Sequence, residues 1–217
     1  KFNSNSEINI LKKDNETIWF KAGLVTKVFA DKEIIAKRVK RLEFMGGKYL
    51  PKIIRTGEYF YQYEMFDGSV LSKSMDITKY FEIWDQMQKN MWSQKSQIPH
   101  DEKSKAVLSF YKVKTEERLE SFVRSREYTD KKDFINGIET PSVAYLLRQI
   151  DWDRVVTESR FALFHGDFHG ENILVADRFG EHCLIDWRHE FANSLSHGDV
   201  YYDLAKITNF SKTVSYF

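Results

Sequence analysis

Cysteine occurs once in the chain, at Cys183, so no internal disulfide can form and a reducing, cytoplasmic setting is expected. That residue sits inside an apolar run, where a small side chain suits packing rather than nucleophilic chemistry. No stretch approaches the roughly 18 consecutive apolar residues of a membrane-spanning helix, so no membrane span is expected. Charge of one sign is also lacking: 33 Lys and Arg stand against 32 Asp and Glu, a formal net charge of +1. Nucleic-acid surfaces normally show a clustered basic excess, so no nucleic-acid partner is expected. The run Lys37-Arg38-Val39-Lys40-Arg41 reads as the solvated face of a helix. The opening KFNSNSEINI has neither an initiator Met nor the apolar core of a signal peptide. The closing SKTVSYF follows DLAKITNF without finishing a clear helix, and both ends read as cuts in a longer chain. No internal repeat is visible. What remains, 217 residues with 42% hydrophobic and 30% charged, suffices for one large core or two small ones.

Residues 6–30 read as three strands. Ile8 and Ile10 alternate with polar neighbours, Asp14-Asn15 turns into Ile18-Trp19-Phe20, and Ala22-Gly23 turns into Leu24 to Phe29. In the third strand Val25, Lys27 and Phe29 share one face. Asp31 reads as a helix N-cap before the stripe Ile35, Val39, Leu42, which Gly46-Gly47 ends. Lys52 to Arg55 and Tyr59 to Tyr63 form a hairpin about Thr56-Gly57-Glu58, and Glu64 to Gly68 leads away from it. From Asp76 the pattern is helical, with Ile77, Tyr80, Phe81, Trp84, Met87 and Met91 as a core face. Ser93 to Lys103 is polar and reads as a loop. Lys105 to Arg126 reads as a helix burying Val107, Leu108, Tyr111, Leu119, Phe122 and Val123, with Lys114 and Arg118 on a solvated face. Glu127 to Asn136 is highly charged and reads as mobile. Thr140-Pro141 opens a helix with Val143, Leu146, Leu147 and Ile150 inward.

The chemistry concentrates between Phe161 and Lys206. The apolar run Phe161 to Phe164 breaks at His165-Gly166-Asp167, and Asn172 follows Asp167 by five positions. Ile173-Leu174-Val175 then passes through a turn at Asp177 to Gly180 into Cys183-Leu184-Ile185, which delivers Asp186. Phosphoryl transfer needs a carboxylate at the attacking hydroxyl and two oxygen ligands that hold magnesium against nucleotide phosphates. The order Asp, Asn five later, then Asp after a following strand supplies that set in protein kinases. Asp167, Asn172 and Asp186 fall in that order.

At these residues HGDFHGENIL, LIDW and DVYYDLAK resemble the aminoglycoside phosphotransferase and choline kinase family. There His-Gly-Asp stands where protein kinases have His-Arg-Asp, and Ile-Asp-Trp or a similar triplet replaces Asp-Phe-Gly. The stretch covers about a fifth of the chain. FYKVKTEERL and the DVYYDLAK ending are also similar to kinase-like proteins found near bacterial surface-polysaccharide genes. The resemblance implies an α+β, two-lobed protein-kinase-like fold, with residues 1–65 a small antiparallel-sheet nucleotide-binding lobe and residues 66–217 a mainly helical catalytic lobe. It implies ATP or GTP and Mg2+ as cofactors. Asp167 becomes the base or hydroxyl-orienting group, and Asn172 and Asp186 the metal ligands. His165 fixes the loop, and His169 lies close enough to touch substrate or phosphate. Lys27 contacts the phosphates, with Lys21 its rival, and Glu33 is the candidate partner for that lysine. Glu64, Met65 and Phe66 bind the adenine through their backbone. No G-x-G-x-x-G precedes Lys27, so the loop over the phosphates is expected at Lys12 to Glu16. The family's acidic pair, here Asp199 and Asp203, supports the catalytic loop.

Other readings compete. Asp167-Phe168-His169-Gly170 also opens metal-dependent phosphoesterase sites, but no Gly-Asn-His follows to complete two metals. In a second competing reading His165, Asp167 and Asn172 cap a turn and do nothing more; three correctly spaced groups rarely do only that. A kinase fold kept only for binding would usually have lost the base or a metal ligand. For the acceptor, mixed charge between Asp76 and Arg160 argues against an aminoglycoside polycation, and choline would require an aromatic cage. A sugar, polyol or glycan precursor fits better, with Trp187 or Arg188 beside it.

Overall fold

The computed structural model describes residues 8–46, 49–74, 77–176 and 181–214. Their contacts divide the chain into two compact units: one drawn from Lys1–Ser96 and Arg160–Phe217, the other Gln97–Ser159. The expected turn at Asp177 to Gly180, Gly47 and the Asp76 helix start lie outside the described residues.

The first unit begins with β1 (Asn9–Lys12), β2 (Glu16–Lys21) and β3 (Leu24–Phe29), followed by α1 (Lys32–Met45), β4 (Ile53–Thr56) and β5 (Phe60–Glu64). The five strands form one antiparallel sheet in the order β1-β2-β3-β5-β4. Between β2 and β3, Ala22 and Gly23 lie at φ 49° and 74°. Two residues of positive φ are the mark of the hairpin turn whose twist matches its strands. Alternation along β3 buries Val25, Lys27 and Phe29, where they meet Tyr61 and Tyr63 of β5 in the core. Asp31 caps α1 by accepting the Glu33 N–H at 2.8 Å, and Gly46 follows the last turn at φ 70°. Ile35 and Met45 face inward from this helix. Arg41 does too, so that member of the basic run is buried rather than solvated.

After β5 come β6 (Ser69–Val70), α2 (Leu71–Ser74), α3 (Ile77–Met87) and a π-helical turn at Gln88–Trp92. Ile83, Met87, Met91 and Trp92 are core, whereas Ile77 and Phe81 of the expected face stay exposed. Gly68 is confined: a Cβ there would run into the backbone of Val175.

The second unit holds a continuous helical rod of α4 (His100–Val107), a π-helical stretch (Leu108–Val113) and α5 (Lys114–Arg126). It starts earlier than the sequence pattern indicates, directly after Pro99, whose φ of −54° already suits a helix entry. β7 (Asp133–Ile135) and β8 (Ile138–Thr140) then form a hairpin where a mobile charged segment was expected. Asn136 and Gly137 supply its turn at φ 51° and 79°. α6 (Val143–Arg148) is capped by Ser142, which accepts the Tyr145 N–H, and α7 (Trp152–Glu158) by Asp151. Val107, Phe110 and Val156 are buried, while Phe122, Val143, Leu146 and Ile150, expected inward, are exposed.

The chain returns to the first unit with β9 (Phe161–Ala162), a 3-10 turn at Gly170–Asn172, β10 (Ile173–Val175), β11 (His182–Leu184), β12 (Gly198–Asp199) and α8 (Val200–Val214). β6, β10 and β11 make a three-stranded sheet, and β9 pairs with β12. An antiparallel sheet toward the N-terminus and a helical C-terminal part make this an α+β fold. Among the described residues no helix is long and apolar enough to cross a membrane.

Candidate active site

The HGD loop leaves β9 through the fully buried Phe164 and His165. Gly166 sits at φ +87°, and a Cβ there would strike the Arg188 side chain and the Phe164 ring. Only glycine fits. Asp203 of α8 holds the turn from beneath: its carboxylate accepts the His165 N–H at 2.7 Å, the Gly166 N–H at 2.6 Å and the Trp92 indole N–H at 3.2 Å. Burial outweighs these bonds and pushes the Asp203 carboxyl up to about 6. Asp199 accepts the Arg160 and Tyr201 N–H groups, fixing the start of α8. His165 has an acceptor role, with Nδ1 taking the Asp167 N–H at 3.3 Å. Burial lowers it to about 3, so the ring is neutral. The ring has no solvent exposure, which leaves it inside the loop rather than at its open side.

Arg41 locks the same region from α1. Its guanidinium donates to the carbonyls of Leu195 at 2.8 Å, Phe164 at 2.6 Å and Arg188, and lies over the Phe164 ring at 4.3 Å. Burial lowers it to about 10, which leaves the charge in place at neutral pH.

Asp167 stands half-buried at the open side of the loop. Oδ2 accepts the Asn172 amide at 3.0 Å, and Oδ1 meets the Lys206 ammonium at 2.8 Å. His169 Nε2 is 3.6 Å from Oδ2 and 3.1 Å from the Asn172 amide nitrogen. Burial works against ionisation of Asp167, but the bonds from His169 and Lys206 win and hold it well below the ordinary carboxylate range. The Asn172 amide nitrogen also donates to the Asp167 carbonyl at 2.9 Å. With its N–H groups so committed, Asn172 presents an oxygen as its further ligand atom.

The Ile185 N–H donates to the Asn172 carbonyl at 2.9 Å, extending the β10–β11 ladder by one rung. Asn172 and Asp186 therefore emerge at the same end of one hairpin. Asp186 follows at φ 60°, a left-handed backbone that turns the chain immediately after the strand. Its carboxylate pairs with Lys27 and has Arg38 at 3.5 Å. Lys27 is 1% exposed and also meets Glu16 at 3.1 Å. Burial drives its ammonium down to about 7 against the pull of Glu16.

The structure thus brings Asp167, His165, His169 and Asn172 together, and joins Lys27 to Asp186. Lys21 is exposed and stands apart. Glu33 is not the lysine's partner: it lies exposed in the first turn of α1, and the pairing goes to Glu16 across the β2–β3 register. Arg38, one turn further along the helix, is what α1 sends toward Asp186. The Lys12 to Glu16 turn closes through Lys13 N–H to the Glu16 carbonyl at 2.8 Å. In the Glu64 to Phe66 segment the Met65 N–H is given to the Gly23 carbonyl at 2.8 Å, so a base bound there must use other backbone groups. Trp187 is not beside any acceptor: it is 0% exposed, its indole donates to the Arg38 carbonyl at 2.9 Å, and it packs on Tyr61. Cys183 is buried and its thiol is pushed up to about 12, which suits packing. Glu16 enters the sequence reading only as the end of the expected phosphate loop and not as a partner of Lys27, and Arg38, Arg41 and Lys206 are given no site role there; their trace is charged residues inside otherwise apolar periodic segments.

This fold and loop belong to the kinase-like class. Residues 99–215, more than half of the chain, match the family model described as the phosphotransferase enzyme family, APH. The chain belongs to that family, the kinase-like group of aminoglycoside phosphotransferases and choline kinases. No curated protein sequence matches the chain.

Proposed function

We propose that this protein transfers the γ-phosphoryl group of ATP or GTP, with Mg2+, to a hydroxyl of a small molecule, in the sugar, polyol or glycan-precursor class. Family membership supports a phosphotransferase. The single observation that carries the residue roles is the cluster in which one Asn172 amide binds Asp167 while its strand partner leads to Asp186. Residues 1–65 serve as the nucleotide-binding segment and residues 66–217 as the catalytic segment.

Asp167 takes the acceptor hydroxyl. The acceptor oxygen bonds to the γ-phosphorus as the bond to the β,γ-bridging oxygen breaks. The nucleoside diphosphate leaves with that electron pair, and the hydroxyl proton passes to Asp167. A carboxylate held well below its ordinary range is a weak base. Its main contribution is therefore orientation, which suits the loose transition state of phosphoryl transfer, where little charge develops on the attacking oxygen.

The donor set fits magnesium. Asn172 offers an oxygen, Asp186 a carboxylate, and both leave one hairpin end, matching a hard cation that prefers oxygen ligands and shares them with phosphates. Among the described residues no cluster of three or more His, Cys, Asp or Glu side chains converges for a metal. Two protein oxygens plus phosphate oxygens is the arrangement this chain supports. When bound, the ion supplies neutralisation of phosphate charge. Lys27 adds a second cation; its ammonium, depressed by burial, regains its charge beside a phosphate. His169 lies next to Asp167 at the reacting end, and Glu64 to Phe66 give the backbone for the base.

A phosphorus NMR screen of ATP and magnesium against sugars, polyols, choline and aminoglycosides tests this. Acceptor-dependent appearance of a phosphomonoester resonance is expected. Nucleotide-independent hydrolysis of phosphoesters, with tightly bound transition metal by elemental analysis, would replace the proposal with the phosphoesterase reading.

A further inference from the structure

Two cations beside the Asp167 loop, Lys206 and Arg188, have no role in the transfer as proposed above. Lys206 reaches up from α8 to Asp167 Oδ1 at 2.8 Å. Tyr202, one helical turn earlier, has the Lys206 ammonium 5.8 Å from its ring centroid and the Arg188 guanidinium 5.7 Å from it. Arg188 is held there from both ends. Its N–H donates to the His165 carbonyl at 3.0 Å, its stem runs along Gly166, and its guanidinium donates to the Glu190 carbonyl at 3.0 Å and lies 3.5 Å from the Tyr202 hydroxyl. Burial, and to a lesser degree Arg188, work to lower the Lys206 ammonium, but Asp167 outweighs them and raises it. Asp167 and Lys206 are each about a third exposed, so solvent and a ligand can reach the pair.

We infer that Lys206 and Arg188 select an acceptor bearing an anionic group, carboxylate or phosphate, next to its reacting hydroxyl, and that this group draws Lys206 off Asp167. The inference rests on the phosphotransferase reading and names its substrate class. In the free enzyme the Lys206 ammonium occupies the carboxylate oxygen that the acceptor hydroxyl needs. A neutral polyol would have to displace that charge-assisted bond with an ordinary hydroxyl bond and return nothing to the ammonium. A polycation would meet Lys206 and Arg188 as like charges. An acid sugar or sugar phosphate offers Lys206 a replacement partner, and Arg188 a pair of anionic oxygens suited to its fork. Freed from Lys206, the Asp167 oxygen becomes accessible as the acceptor arrives. The acceptor's own hydroxyl proton then passes to Asp167 while its oxygen takes the γ-phosphoryl group from ATP, with ADP leaving.

The test uses the full chain with ATP and magnesium and matched acceptor pairs: glucuronate against glucose, gluconate against glucitol, glycerol phosphate against glycerol. Turnover is measured, and binding by calorimetry with a non-hydrolysable ATP analogue. In at least one pair the anionic member is expected to lead by tenfold or more; the carboxylate and phosphate arms tell the two sources apart. Lys206→Met should cut kcat/KM for that member at least tenfold, chiefly through KM, and raise kcat for its neutral counterpart. Lys206→Arg should restore most of the preference. Equal or better binding and turnover of the neutral member in every pair overturns the inference. So does a Lys206→Met enzyme that loses both members equally, which is what a merely structural lysine would do. In either case a rise in melting temperature with Mg-nucleotide leaves the phosphotransferase reading standing. A protein that binds no Mg-nucleotide overturns both.

Discussion

The two compact units bury different things. The first, which holds the HGD loop and the five-stranded sheet, encloses Trp187, Tyr61 and Ile173 together with the charged or titratable side chains of Lys27, Arg41, His165, His182, Asp199 and Asp203. The second, Gln97–Ser159, has Val107, Phe110 and Val156 as its buried apolar residues, and leaves Phe134 and Ile138 at 70% and 71% exposure. Burying a charge is unfavourable unless it is paired and hydrogen-bonded. In the first unit those bonds run between distant segments: Arg41 to Leu195, Asp203 to His165, Lys27 to Asp186. The difference teaches where precision is built. The first unit spends polar groups inside its core to fix a loop, whereas the second is held by ordinary apolar burial and local helix caps.

The largest break in that contrast comes from Arg41→Met. It strands three carbonyl oxygens, the Phe164 one buried and the other two partly so, and removes the cation whose charge acts on Asp203. A loss of about 3 kcal/mol or more is expected by chemical denaturation, since removing one partner of a buried charge network is far worse than removing a surface charge. A loss under 1 kcal/mol would mean the guanidinium is not holding the loop. In the second unit Val107→Ala should lower stability by about 1–2 kcal/mol, the loss of two buried methyl equivalents.

Acid comes next. His165 is held down to about 3, whereas the unfolded chain takes up that proton near 6.5. Its contribution is present above pH 6.5 and is lost as pH falls toward 3. Asp203, pushed up to about 6 from 3.8, runs the other way: its contribution is present below pH 3.8 and lost as pH rises through 6. The wider His165 window slightly outweighs the opposing Asp203 contribution, so these two groups together should lower stability by only about 0.5–1 kcal/mol between pH 6.5 and 4. His165→Asn should flatten or reverse that slope, measured as melting temperature against pH. An unchanged slope would place the acid sensitivity elsewhere.

Smallest of all, Phe134→Ser on the exposed hairpin should change stability by less than about 0.5 kcal/mol. A Phe134 effect matching that of Val107 would erase the distinction between the two residues' environments.

Much of the first unit's architecture was legible because its signals are local. Val25, Lys27 and Phe29 alternate, Asp31 caps, and Asp167, Asn172 and Asp186 are spaced along one loop and one hairpin. What was not legible depends on long-range pairing. Glu16 rather than Glu33 meets Lys27 because β2 and β3 pair Ile18 with Lys27, a register that places Glu16 beside it. Lys206 lies 39 positions from Asp167 and reaches it only because Asp203 ties α8 to the loop. Arg41 looked like one of a solvated run, because a basic cluster carries no sign of which member points inward. The second unit failed differently. Asn136-Gly137 is a strong hairpin signal, yet the charge density of Glu127 to Asp133 masked it. Val143, Leu146 and Ile150 have apolar spacing without the burial that spacing usually implies.

The most direct test is acceptor-dependent phosphoryl transfer by Asp167→Asn beside the unchanged protein, with Mg-nucleotide affinity measured on both. In the proposed transfer Asp167 is the partner of the acceptor hydroxyl, so kcat should drop on the order of 10² to 10⁴. Nucleotide affinity and melting temperature should stay near those of the unchanged protein. A variant that forms phosphomonoester at an undiminished rate would contradict the assignment of the transfer chemistry to this loop.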